Sequence, residues 1–139
     1  MFRKFFAALA ITLVFMSANE NFSFELNKVY AQTNIELAEQ KNNEGVQLFK
    51  NKNYQAAILK YTEAIQLNPN YAEAYNNRGN SYYELGYYSE SISDYTKAIQ
   101  LNPDKSLYYN NRGDAYRAIG EIEKANLDYE KARALGYNG

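Results

Sequence analysis

Apolar side chains along this chain recur three and four positions apart rather than in alternation. Ile58, Tyr61 and Ile65 are followed by Ile92, Tyr95 and Ile99, a spacing that lines up one face of a helix. Asn68-Pro69 and Asn102-Pro103 interrupt the pattern, because a proline disfavours helical backbone in the residue before it. Asn70 and Asp104 stand where a side-chain oxygen would cap the next helix. Gly86 and Gly120 break the other junctions. The pattern predicts an all-α chain of six helices, paired as helix-turn-helix, with no strand.

The helices are near copies of one another. Tyr61-Thr62-Glu63-Ala64-Ile65-Gln66-Leu67-Asn68-Pro69 returns 34 residues on as Tyr95-Thr96-Lys97-Ala98-Ile99-Gln100-Leu101-Asn102-Pro103, and Tyr75-Asn76-Asn77-Arg78-Gly79 returns as Tyr109-Asn110-Asn111-Arg112-Gly113. Extended backwards, the period marks three units at about 38–71, 72–105 and 106–139. A fixed period of this size signals stacked units, none of which can bury its apolar face alone. Four columns hold one kind of side chain: Gly45, Gly79, Gly113; Ala57, Ser91, Ala125; Ala64, Ala98, Ala132; and Tyr61, Tyr95, Tyr129. Small against large at fixed places is how helices interlock.

These columns, with Leu48, Tyr82 and Tyr116 and the two prolines, resemble tetratricopeptide repeats over residues 38–139. The resemblance implies a helical repeat solenoid. Lys41 in the place of Tyr75 and Tyr109, Glu44 at a usually apolar place, and Tyr137 instead of the terminal proline depart from the family pattern.

Two columns change sign together. Glu44, Arg78 and Arg112 are matched sixteen residues later by Lys60, Asp94 and Asp128. The compensating swap predicts an ion pair between the two helices of each unit, written in reverse in unit one. The competing reading gives Arg78 and Arg112 to an anionic ligand. Elsewhere, Ile58 and Ile92 become Asn126, and Ile65 and Ile99 become Arg133. Polar residues on that face suit a terminal repeat, although Leu127 and Leu135 leave an end-to-end dimer open beside the expected monomer.

The resemblance also implies that the first helix of each unit lines a concave face. That assigns Asn42, Asn43, Val46, Phe49 and Lys50 from unit one, Asn76, Asn77, Asn80, Tyr83 and Glu84 from unit two, and Asn110, Asn111, Asp114 and Arg117 from unit three. A carboxamide both donates and accepts, so it can bond an extended peptide backbone irrespective of sequence. Asn43, Asn77 and Asn111 would then form a ladder, similar to those in the repeats of O-linked N-acetylglucosamine transferases. The alternative, that these asparagines are merely solvated, stays open. Phe49 and Tyr83 would seat an apolar side chain, with Arg117 completing the stripe, or else belong to the core, as aromatics at helical spacing often do. Family members that clamp a chaperone's C-terminal carboxylate use lysines, an arginine and asparagines. The matching places here hold Asn42, Val46, Asn77, Leu107 and Asn111, so such a clamp is not expected.

There is no His and no Cys, which removes the commonest bases, nucleophiles and transition-metal ligands, and no disulfide is possible. No Gly-rich phosphate loop is present. The expectation is a chain with no catalytic residues, no metal and no cofactor. Arg3 and Lys4 precede the uncharged apolar run Phe5 to Met16, the form of a secretory leader. Val29-Tyr30-Ala31 offers a cleavage site, so residues 1–31 read as a signal peptide, or as a membrane anchor if retained. Taking away Arg3, Lys4, Lys28, Glu20 and Glu25 leaves 12 basic residues against 14 acidic ones. That balance offers no field for a phosphate backbone, and nucleic acid is not an expected partner.

Together these features predict an extracytoplasmic, non-catalytic scaffold that binds an extended segment of a partner protein on its concave face. An exported enzyme or carbohydrate-binding protein using Glu84, Asp114 and groove tyrosines is one alternative. A structural subunit of an envelope complex is another.

Overall fold

The computed structural model describes residues 2–139, with side chains from Glu20 onward. Six helices follow in order, α1 (Phe2–Lys50), α2 (Tyr54–Leu67), α3 (Ala72–Glu84), α4 (Tyr88–Leu101), α5 (Ser106–Ala118) and α6 (Ile122–Ala134), and no strand occurs among the described residues. The chain divides into two units, Met1–Glu36 and Leu37–Gly139. In the first, residues 20–36 are helical and exposed throughout, the Val29-Tyr30-Ala31 site included. The side chains of Arg3, Lys4 and the apolar run lie outside the described residues. Among the described residues no helix is long and apolar enough to cross a membrane.

The second unit pairs residues 37–50 of α1 with α2, α3 with α4, and α5 with α6. The helices α2 and α4 end one residue before Asn68-Pro69 and Asn102-Pro103, as the proline rule requires. The next helices, however, begin differently from the expectation. Their N-caps are Tyr71 and Lys105, without a side-chain cap bond, and the Asn70 N–H is instead taken by Asn68 Oδ1 at 3.1 Å. The junctions inside the units share one turn. Tyr87 N–H reaches Tyr82 O at 2.9 Å and Glu121 N–H reaches Tyr116 O at 3.0 Å, each around a glycine with φ of +79° or +81°. Unit one makes the same turn through Lys52 at φ +59°, where a Cβ costs about 1 kcal/mol.

Within each unit a glycine admits a tyrosine ring. A Cβ on Gly45, Gly79 or Gly113 would lie 2.6, 2.8 or 2.7 Å from a ring carbon of Tyr61, Tyr95 or Tyr129. The rings of Tyr61 and Tyr95 are buried, and Ala57, Ala64, Ala98, Ala125 and Ala132 are fully or almost fully so. Between units, Ala38, Ala64 and Ala74 form one apolar cluster, and Ala98, Ile99, Tyr108, Tyr109 and Ala132 another. Asn126 and Arg133, the polar replacements in the last unit, are exposed.

All three ion pairs are present. Arg78 grips Asp94 with Nε and Nη2 at 2.7 and 2.8 Å, and Arg112 grips Asp128 at the same distances. Each arginine also donates Nη1 to a threonine of the preceding unit, Thr62 at 3.0 Å or Thr96 at 3.1 Å. Their guanidinium groups are thus spent within the fold, against the anion-binding reading. Burial raises the Asp94 carboxyl above its ordinary range, and Arg78 only partly offsets that. The reversed pair of unit one, Lys60 with Glu44 at 3.3 Å, is more exposed and shares its charge with Lys41 and Glu63.

Removing one member of a buried pair strands the other. Arg78→Glu is therefore expected to destabilise the chain by about 3 kcal/mol in urea unfolding, and adding Asp94→Arg should return part of the loss, as the reversed pair in unit one already shows to be possible. Losses that simply add would refute the pairing.

Candidate functional site

The residues assigned to the concave face fall into three groups. Phe49, Asn80, Tyr83, Asn111 and Asp114, together with Glu84 and Tyr95, surround a cavity of about 280 Å³. Helix α1 supplies Phe49, α3 supplies Asn80, Tyr83 and Glu84, and α5 supplies Asn111 and Asp114. Asn110, Asp114 and Arg117 join Tyr129, Arg133 and Tyr137 around a second cavity of about 510 Å³ in unit three. The remaining asparagines are elsewhere.

Asn42 and Asn76 do not face a groove. Both are buried, and each accepts an amide N–H from the next unit: Asn77 Nδ2 to Asn42 Oδ1 at 3.0 Å, and Asn111 Nδ2 to Asn76 Oδ1 at 2.9 Å. Buried carboxamides are stable only when bonded, and the neighbouring unit supplies the bond. Asn110, in the same column, instead donates to Asp114 of its own helix at 3.4 Å. Asn77 and Asn111 are half-buried, Asn77 held by one seam bond and Asn111 by two, the second to Asn80 Oδ1 at 3.2 Å. Asn43 is exposed. In units one and two the first asparagine of the pair is therefore the buried acceptor of a seam bond, and the second is less buried.

Phe49 and Tyr83 are both half-buried, and each meets a tyrosine of the following helix edge-on, Tyr54 at 5.2 Å and Tyr88 at 5.3 Å between centroids. In unit three Arg117 takes their place. Its guanidinium lies 5.6 Å from the Tyr129 ring centroid and 2.9 Å from Asp114 Oδ1. Asn80 and Asp114 accept the hydroxyls of Tyr95 and Tyr129, at 2.7 and 2.9 Å. Sequence reasoning placed Tyr95 and Tyr129 in the core alone. The signal for their second role was the column Val46, Asn80, Asp114, which turns polar in the residue directly after the glycine that receives the ring.

Burial, aided by the Asp114 carboxylate, raises the Tyr83 phenol above its ordinary range. Burial and the hydrogen bond to Asp114 push Tyr129 up to about 12. The phenols are thus neutral hydrogen-bond donors near pH 7. Asp114 is committed to Tyr129, Arg117 and Asn110, an arrangement that holds side chains in place rather than one that frees a base. No group of three or more acidic side chains able to hold a metal ion occurs among the described residues.

The division of labour between the two asparagines is measurable. Asn76→Ala removes one of the two seam bonds of the Asn111 amide and should cost about 1–2 kcal/mol in urea unfolding, whereas Asn43→Ala should change stability by less than about 0.5 kcal/mol. Equal effects would contradict the seam assignment.

Three models of known families match the chain, one described as TPR repeat over residues 45–86 and two as tetratricopeptide repeat over residues 72–105 and 94–134. Comparison with curated protein sequences returns no match. Among solved structures, the first TPR of Spaghetti (RPAP3) bound to the HSP90 peptide SRMEEVD is 30% identical, with a TM-score of 0.74, over 76% of this chain and 83% of that one. The Arabidopsis OM64 TPR domain is 31% identical, with a TM-score of 0.73, over 74% and 85%. The TPR2B domain of yeast Sti1, in its complex with an Hsp70 peptide, is 31% identical, with a TM-score of 0.69, over 70% and 78%. The glycine and tyrosine interlock, the helix pairs at a 34-residue period and these likenesses agree: the chain belongs to the tetratricopeptide-repeat family.

Proposed function

We propose that this protein is a non-catalytic interaction module whose concave face binds an extended segment of a partner protein. The observation that carries this reading is the orientation of Asn77 and Asn111. Asn77 is tied to the preceding unit by one N–H, which fixes the side chain and leaves its other N–H able to bond, while Asn111 gives its Nδ2 to both Asn76 and Asn80 and keeps its carbonyl able to accept. Side chains held in advance lose less entropy when a ligand arrives. Each amide bond to a peptide backbone would contribute about 0.5–1.5 kcal/mol net, so affinity would come from several contacts together. Peptide complexes of similar domains, with HSP90 and Hsp70 segments, support the same reading.

Of the two carboxylates that the enzyme reading uses, Asp114 is already bonded to three donors and Glu84 is exposed to solvent, which favours an interaction module over an exported enzyme. The groove also differs from a carboxylate clamp, since Val46 and Leu107 bring hydrocarbon where that clamp requires polar or cationic groups. The leader adds a location to the proposal. The chain acts outside the cytoplasm, either cleaved after Ala31 or held by an uncleaved segment.

Display of random decapeptides against the full chain should select binders that are lost in a combined Asn43→Ala, Tyr83→Ser, Asn111→Ala variant whose helical circular dichroism is intact. Selected peptides that bind this variant equally well would remove the groove from the proposal. N-terminal sequencing of the exported protein should begin at Gln32; a chain recovered in the cytoplasm with Met1 in place would contradict the location.

A further inference from the structure

The 280 Å³ cavity has a chemical character of its own. Its volume lies below the roughly 300–1,000 Å³ of small-molecule sites and suits one long side chain. Phe49 and Tyr83 are its aromatic walls, and Glu84 and Asp114 bring carboxylates from two successive units. No lysine or arginine lines it. Asp114 is matched by Arg117, but Glu84 receives only the Tyr54 hydroxyl, at 3.4 Å, and forms no ion pair among the described residues.

The chain itself shows how such surroundings hold a cation. In unit three a guanidinium sits against the ring of Tyr129 and on the Asp114 carboxylate. In unit two the column of Arg117 is occupied by Tyr83, which supplies a ring but no cation, and the adjacent Glu84 supplies a carboxylate. The combination of ring face, carboxylate and room is repeated, and the positive charge is missing.

We propose that this cavity receives a lysine or arginine side chain of the bound segment, which lies between Phe49 and Tyr83 and pairs with Glu84. The inference rests on the groove reading above and gives it a specificity. An arginine ring contact and a partly exposed ion pair add to backbone bonding that by itself ignores sequence. The groove would therefore select segments that are basic at one position. The opposite charge would be disfavoured, because an acidic side chain there meets two carboxylates and no free cation.

The test uses the full chain and capped decapeptides of alanine, glycine and serine that differ only at the central residue: arginine, lysine, citrulline or glutamate. Fluorescence anisotropy should show the arginine and lysine peptides binding about ten-fold more tightly than the citrulline peptide. That advantage should shrink with added salt and disappear in Glu84→Gln, an exposed position whose change leaves the helices intact. Citrulline binding as well as arginine, in a manner lost in the groove variant described above, would overturn the cationic site and leave the groove reading standing. Binding of none of the four would overturn both. An arginine advantage that persists in Glu84→Gln would overturn the assignment of the cation to this cavity.

Discussion

In each unit a tyrosine ring of the second helix occupies the space that a Cβ of the first helix would fill. The separation from ring carbon to the imagined Cβ, 2.6–2.8 Å, is closer than any real side chain tolerates. This contact fixes how far apart the two helices stand and how they are registered along their axes. The ion pairs obey the same register. Gly79 meets Tyr95 and Arg78 meets Asp94, each sixteen residues apart, so once the ring is seated the guanidinium faces its carboxylate. The Tyr95 hydroxyl then emerges beside Asn80, and the Tyr129 hydroxyl beside Asp114, which is how a core residue comes to line a groove. Packing and surface chemistry are joined through one side chain.

The contacts between units are of another kind. Alanines, Ile99, Tyr108 and Tyr109 supply the apolar area, but direction comes from polar bonds that cross the seam: Asn77 to Asn42, Asn111 to Asn76, Arg78 to Thr62 and Arg112 to Thr96. A slide of one unit against the next would break these bonds while leaving much of the hydrocarbon covered. Buried amides and charges are costly when unpaired, so they penalise the wrong register more than they stabilise the right one. Each unit thus positions the next, and the surface asparagines inherit that position.

Features that depend on a column repeating were legible in the sequence. Helix pairing, the three units and the ion pairs follow from comparing Gly45 with Gly79 and Gly113, or Glu44 with Arg78. What could not be read was the division within Asn42-Asn43 and Asn76-Asn77. Two identical side chains about 100° apart on a helix carry the same pattern whether they point to solvent or to a neighbour. Only the neighbour's amide, 35 residues away, separates the buried residue from the exposed one. Similarly, the capping role expected of Asn70 and Asp104 rested on residue type. The Asn68 side chain bonds the Asn70 backbone first and the helix begins at Ala72 without a side-chain cap. Lys52 at a left-handed position was equally hidden, since the glycines of the other two units gave no reason for a lysine to adopt their backbone.

The fold and the choice of ligand draw on different residues of the same helices. Glycine, alanine and tyrosine columns decide how the helices of this chain pack. Those columns face the interior. Residues one or two positions away face the groove and can change without disturbing the interlock, which is why a shared fold does not imply a shared ligand. Here Val46 and Leu107 are apolar, Asn42 is withdrawn into the seam, and Glu84 and Asp114 place negative charge beside aromatic rings. If the groove binds a peptide as proposed, its asparagines would hold the backbone, and the charge of the cavity would select the side chain admitted beside it.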